Sequence, residues 1–121
     1  RLGLLAEPVE HARATAEHER GRMLAILRER GLIGDDAAEE QLVNALHVHL
    51  AASPSRLLGV SLADAVGERR AQNQPGTHRE YPNWQVPLAG PDGRCVLLDD
   101  LAANHRFRSL AAAVDGCMRR D

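Results

Sequence analysis

The chain has 121 residues, 44% of them apolar and 26% charged, with a formal net charge of −2. These values place it among globular proteins of one domain or less and exclude a disordered or fibrous chain. Its positive charges are all Arg, interspersed with Glu and Asp rather than gathered in a run, so no nucleic-acid or membrane partner is expected.

The first residues, Arg1 and Leu2-Gly3-Leu4-Leu5, carry no capping or start signal, and the sequence is expected to be a fragment of a longer protein. Residues 1–52 read as a helical part. A first helix runs from Pro8, suited to the first helical position, to about Arg30, with Val9, Ala12, Ala16, Met23, Ile26 and Leu27 as a loose apolar stripe. Gly31 ends it as a C′ glycine. A second helix is expected to start at an Asp36-x-x-Glu39 box, with Leu42, Val43, Leu46 and Leu50 at helical spacing and Ser53-Pro54-Ser55 as its stop.

Residues 56–62, Arg-Leu-Leu-Gly-Val-Ser-Leu, form a short apolar run between a Pro-Ser break and a polar stretch, the pattern of a buried strand. Ala63 to Val66 is long enough for one helical turn, and residues 68–88 read as a long loop ending in an extended piece, Trp84 to Leu88. Loops of that length in compact domains are usually functional. A turn follows at Gly90-Pro91-Asp92-Gly93, then a strand-like run Cys95 to Leu98, then a terminal helix over 99–118 capped by Asp99 or Asp100.

The fold class that follows is α/β, mostly helical with one or two short strands. So few strands cannot satisfy their own edges or cover both faces of residues 57–62. Their partners are expected in sequence outside this chain, which by itself is expected to be molten.

The candidate chemical groups are few. His47 and His49 stand two apart on a helix and point away from each other, which argues against a shared metal. His11 and His18 share a face without further ligands, and read as solvated surface residues. Asp99-Asp100 resembles a carboxylate pair but reads as a helix cap. Cys95 and Cys117 are isolated and there is no signal peptide or membrane-length apolar run, so a reduced, cytoplasmic setting is expected. Neither a metal nor a cofactor is implied.

The loop is more informative. It runs Gln72-Asn73-Gln74-Pro75-Gly76-Thr77, His78-Arg79, Glu80-Tyr81-Pro82-Asn83-Trp84. Amide side chains offer donors and acceptors to sugar hydroxyls, Pro-Gly fixes a tight turn, and Trp84 has a flat apolar face. The alternative is a structural turn with a core Trp.

Asn73-Gln74-Pro75-Gly76-Thr77 followed by Pro82-Asn83-Trp84 resembles the Asn-x-Pro-Gly-Thr … Pro-Asn-Trp signature of the 4-α-glucanotransferase (amylomaltase) family. The likeness extends to Ser53–Asp64 and to Leu97-Leu98-Asp99-Asp100-Leu101. It implies the C-terminal part of a (β/α)₈ TIM barrel, with 56–62 as its last strand, 68–88 as a loop on the active-site face and 99–118 as the terminal helix. It implies transfer of an α-1,4-glucan segment to the 4-hydroxyl of an acceptor by a retaining mechanism. The catalytic Asp and Glu of that mechanism are expected upstream, so no catalytic residue is assigned here and the isolated chain is expected to be inactive. Asn73 is implied as substrate-binding, with Pro75, Gly76 and Thr77 shaping its loop, and Asn83 and Trp84 as supports that pack the loop onto the barrel. The implied partners are a maltodextrin substrate and the missing N-terminal part of the same barrel. A freestanding non-catalytic helical domain that binds glucan or a protein through this loop is the alternative.

Overall fold

The computed structural model describes residues 7–119; the opening Arg1 to Leu5 lies outside the described residues. Helix α1 spans Val9–Glu29. Pro8 is its N-cap rather than its first helical residue, with φ −56 and ψ 141, and its carbonyl accepts from His11 and Ala12 N–H groups, both at 3.1 Å. The helix ends as expected at Gly31: φ is 67, its N–H bonds Arg28 O at 2.9 Å and Leu32 N–H bonds Leu27 O at 2.9 Å, the paired bonds of a Schellman ending. Of the apolar stripe only Leu27 is buried, because within the described residues the early turns of α1 have nothing to pack against.

Helix α2 spans Glu39–Ala51 and follows Ala38, not Asp36. Gln41 Oε1 reaches back to accept the Ala38 N–H at 2.7 Å. That is the return half of a capping box; alanine cannot supply the other half. Glu39 and Glu40 sit at the positive end of the helix.

No strand forms over 56–62. Residues 56–61 are irregular, and Leu62 already begins helix α3, Leu62–Val66. A parallel strand exists only with a neighbour to take its backbone hydrogen bonds, and none is present among the described residues; Leu57 is left 91% exposed. Ser61 caps α3, its Oγ accepting the Ala63 N–H at 3.2 Å. The turn at 90–93 is formed, closed by Gly93 N–H to Gly90 O at 2.9 Å, but the flanking strand-like run reduces to one antiparallel bridge, Ala89 with Cys95.

The expected terminal helix is two elements. A 3-10 helix covers Leu98–Ala103, and α4 covers His105–Met118. Asp99 and Asp100 are not caps. Asn104 is, its Oδ1 accepting the Phe107 N–H at 3.1 Å, and its extended backbone breaks the helix at that point.

Helix α4 packs on α2 and α3. Asn44 Nδ2 donates to Ser109 Oγ at 2.8 Å across the first of these interfaces. The core is Leu27, Ala45, Ala65, Val66, Ala89 and Leu110, with His47 as its one polar member among the described residues. Glu39 joins three elements by pairing with Arg106 of α4 at 3.3 Å and with Arg69 beyond α3 at 2.5 Å. Beside this core, Val60, Leu62, Phe107, Leu110, Val114 and Met118 line an open apolar groove of about 390 Å³.

Gly67 ends α3 with φ 80, and a Cβ there would lie 2.7 Å from Arg106 Nε and 2.9 Å from Pro91 Cγ. Gly31 has φ 67 but open space around it. Gly67→Ala is therefore expected to destabilise by roughly 1–3 kcal/mol, and Gly31→Ala by about 1 kcal/mol, from backbone strain alone. Denaturant midpoints of the two variants check the order.

Candidate functional site

The polar loop begins where α3 stops. Gly67 turns the chain, and Glu68 N–H bonds back to Ala63 O at 2.9 Å. From there the loop's course is set by hydrogen bonds, since it has few apolar side chains to bury.

Gln74-Pro75-Gly76-Thr77 is a β-turn. Thr77 N–H donates to Gln74 O at 3.2 Å, and Gly76 has φ 81. Pro at the second position and a positive-φ Gly at the third are the demands of a type II turn. Thr77 Oγ1 adds a bond to Gln74 O at 2.7 Å.

Asn83 is the hub. Its Oδ1 accepts the Gln74 N–H at 2.7 Å, while its Nδ2 donates to Thr77 O at 3.1 Å and to Thr77 Oγ1 at 3.0 Å. One amide thus spans the turn and uses both its donor and its acceptor side. Trp84 N–H donates to Gln72 O at 2.8 Å, and Tyr81 Oη to Ala71 O at 2.5 Å. The Glu80 carboxylate accepts from His78 and Arg79 N–H groups at 2.9 and 3.0 Å. These bonds, that from His78 first, hold its pKa below the usual carboxylate range.

The predicted residues fall into two groups. Asn83 and Thr77 are half-buried and internally bonded, whereas Pro75 and Gly76 are exposed on the turn and Asn73 is exposed just before it. The Asn73 side chain makes no hydrogen bond to the described residues, so its donors and acceptor remain open. Against the described residues Trp84 is 77% exposed, and its φ of 61 is positive, a costly conformation for a bulky side chain.

At the base of the loop stand Glu68 and Arg70, which the sequence reasoning did not single out. Glu68 Oε1 accepts from Arg70 N and Nε at 2.8 and 2.9 Å, and Oε2 from Arg70 Nη2 and Ala89 N at 2.6 and 3.0 Å. Arg70 Nη2 also donates to Pro87 O at 2.7 Å. The Arg70 guanidinium, with the two backbone N–H groups, lowers the Glu68 pKa to about 2 against the opposing cost of burial. The opposite charges two residues apart were the available signal, but nothing in sequence couples them to residues 87 and 89.

Among the described residues no group of three or more His, Cys, Asp or Glu side chains is placed to hold a metal ion. His47 bonds Val43 O through Nδ1 at 2.8 Å, and Asp99 and Asp100 are exposed on the 3-10 helix. No described helix is long and apolar enough to cross a membrane.

The family model for 4-alpha-glucanotransferase matches residues 8–92, which include the whole polar loop. The chain belongs to this family. The 4-alpha-glucanotransferase of Mycobacterium tuberculosis (strain H37Rv) is 52% identical over 115 residues, covering 93% of this chain and 16% of that protein. The 4-alpha-glucanotransferase of Haemophilus influenzae is 42% identical over 55 residues, 46% of this chain and 8% of that protein. Among solved structures, amylomaltase from Corynebacterium glutamicum superposes with a TM-score of 0.78 at 34% identity, covering 100% of this chain and 18% of that one. The chain thus spans about 16% of the length of the mycobacterial relative.

Two measurements probe the loop. Asn83→Ala removes the hub and is expected to lower amide-exchange protection at Gln74 and Thr77 by roughly 1–3 kcal/mol, leaving α4 unchanged. The Glu68 carboxyl carbon should titrate near pH 2 by NMR. Because its folded pKa is depressed, the stabilisation of the loop base is complete above about pH 4.5 and is lost as pH falls towards about 2.

Proposed function

We propose that this chain is the C-terminal part of a TIM-barrel 4-α-glucanotransferase and forms part of its substrate cleft. The activity is transfer of an α-1,4-glucan segment to the 4-hydroxyl of an acceptor glucose or glucan. Family membership supports the reaction class, and the exposed, unbonded Asn73 carries the assignment of the site.

In a retaining double displacement a carboxylate attacks the anomeric carbon while a carboxylic acid protonates the leaving oxygen; an acceptor hydroxyl, giving its proton to that second carboxylate, then displaces the enzyme's carboxylate. On this reading the catalytic Asp and Glu belong to the remaining length of the enzyme, and residues 7–119 bind and orient sugar. Asn73 donates and accepts hydrogen bonds to hydroxyls of a bound glucose. Pro75, Gly76 and Thr77 hold the turn that presents it, and Asn83 holds that turn in place. The isolated chain is inactive; the whole enzyme needs no cofactor and works in the cytoplasm on maltodextrin-like substrates.

Asn73→Ala in a full-length enzyme carrying this segment is expected to lower transfer activity through loss of a sugar hydrogen bond, at about 1–3 kcal/mol if its partner is left buried and unpaired. Unchanged kinetics with maltotriose would remove Asn73 from the site.

A further inference from the structure

The loop is tied at two levels. Its crown is held by Asn83, and its base by a single carboxylate. The Glu68 side chain is 3% exposed and accepts from four N–H donors. One of them, the Ala89 N–H, is 21 positions along the chain, on a buried residue that also pairs with Cys95. Arg70 completes the closure through Pro87 O.

The donors are divided evenly between the two oxygens, which is why the residue must be an ionised carboxylate. A Gln amide would place an NH₂ group against two N–H donors, either Arg70 N with Nε or Arg70 Nη2 with Ala89 N. A Lys at position 70 would lack the fork that engages both oxygens.

Between this base and the crown the loop is cross-linked by Tyr81 to Ala71 and by Trp84 to Gln72. Asn73 is the next residue. Its direction relative to α3 and the core is passed upward from the clasp, with Arg69 adding an exposed ion pair to Glu39 that contributes little.

We propose that Glu68 and Arg70 are positioning residues for glucan binding: their ion pair closes the base of the loop and sets the direction in which Asn73 meets the sugar. The inference rests on the reading of Asn73 as a sugar ligand.

The experiment compares Glu68→Gln, Arg70→Lys, Asn73→Ala and the double variant Glu68→Gln/Asn73→Ala in a full-length 4-α-glucanotransferase carrying this segment, with kcat/KM on maltotriose and thermal melting as readouts. Glu68→Gln and Arg70→Lys are expected to lose about 10- to 100-fold in kcat/KM while the enzyme still melts cooperatively, the lost stabilisation being confined to the loop base. The double variant should be no worse than Asn73→Ala alone, because the clasp acts through Asn73. Full activity of Glu68→Gln beside an impaired Asn73→Ala overturns the positioning role and leaves the sugar-ligand reading intact. Additive losses in the double variant also overturn it. Wild-type kinetics of Asn73→Ala overturn the reading beneath both. Should Glu68→Gln fail to fold, Arg70→Lys alone and combined with Asn73→Ala decides by the same criteria.

Discussion

Between Gly67 and Pro87 the chain has little apolar surface to bury, and a backbone in that position keeps one shape only if its own polar groups fix it. Two side chains do most of this. The Glu68 carboxylate gathers N–H groups from both ends of the loop, and the Asn83 amide bridges the turn at Gln74 and Thr77. Bonds within the loop thus set how the exposed turn stands relative to the helices. The strained φ of Trp84 is held in the same way, with its N–H on Gln72 O at 2.8 Å.

The helices beneath are a modest platform. Three of the six apolar core residues are alanines, which bury little area and contribute correspondingly little stabilisation. Several larger apolar side chains, among them Leu57, Leu97, Leu98 and Met118, remain exposed, and the groove along α4 is open. On the proposed reading this is one piece of a larger core, in a chain that spans 16% of its mycobacterial relative. The polar loop is better determined by its own contacts than the apolar segment at 56–61, because its hydrogen bonds close within the chain.

The helices and the loop were legible in the sequence. Gly31, Gly76 and the Gly90–Gly93 turn announce themselves because positive φ restricts the choice of residue. The motif pair around Asn73 and Asn83 located the loop and the family. At 56–62 no strand forms among the described residues, because the neighbour that would take its hydrogen bonds is not among them, and an apolar run of that length looks alike whether paired or not. The terminal helix was read as continuous because Asp99 and Asp100 are as good caps on paper as Asn104. Trp84 was read as a support that packs the loop onto the barrel, a surface outside the described residues, and against the described residues alone it is 77% exposed. The Glu68 clasp was invisible because its partners are distant in sequence, and only the fold brings Ala89 and Pro87 to it.

The central claim is that this loop meets an α-1,4-glucan through Asn73. The most direct measurement is a crystal structure of a full-length 4-α-glucanotransferase carrying this segment with a bound maltooligosaccharide. The account predicts the Asn73 amide within hydrogen-bonding distance of a sugar hydroxyl, with the Asn83 and Glu68 bonds unchanged. A glucan bound in the cleft with Asn73 turned away from it, or packed against protein, would contradict it.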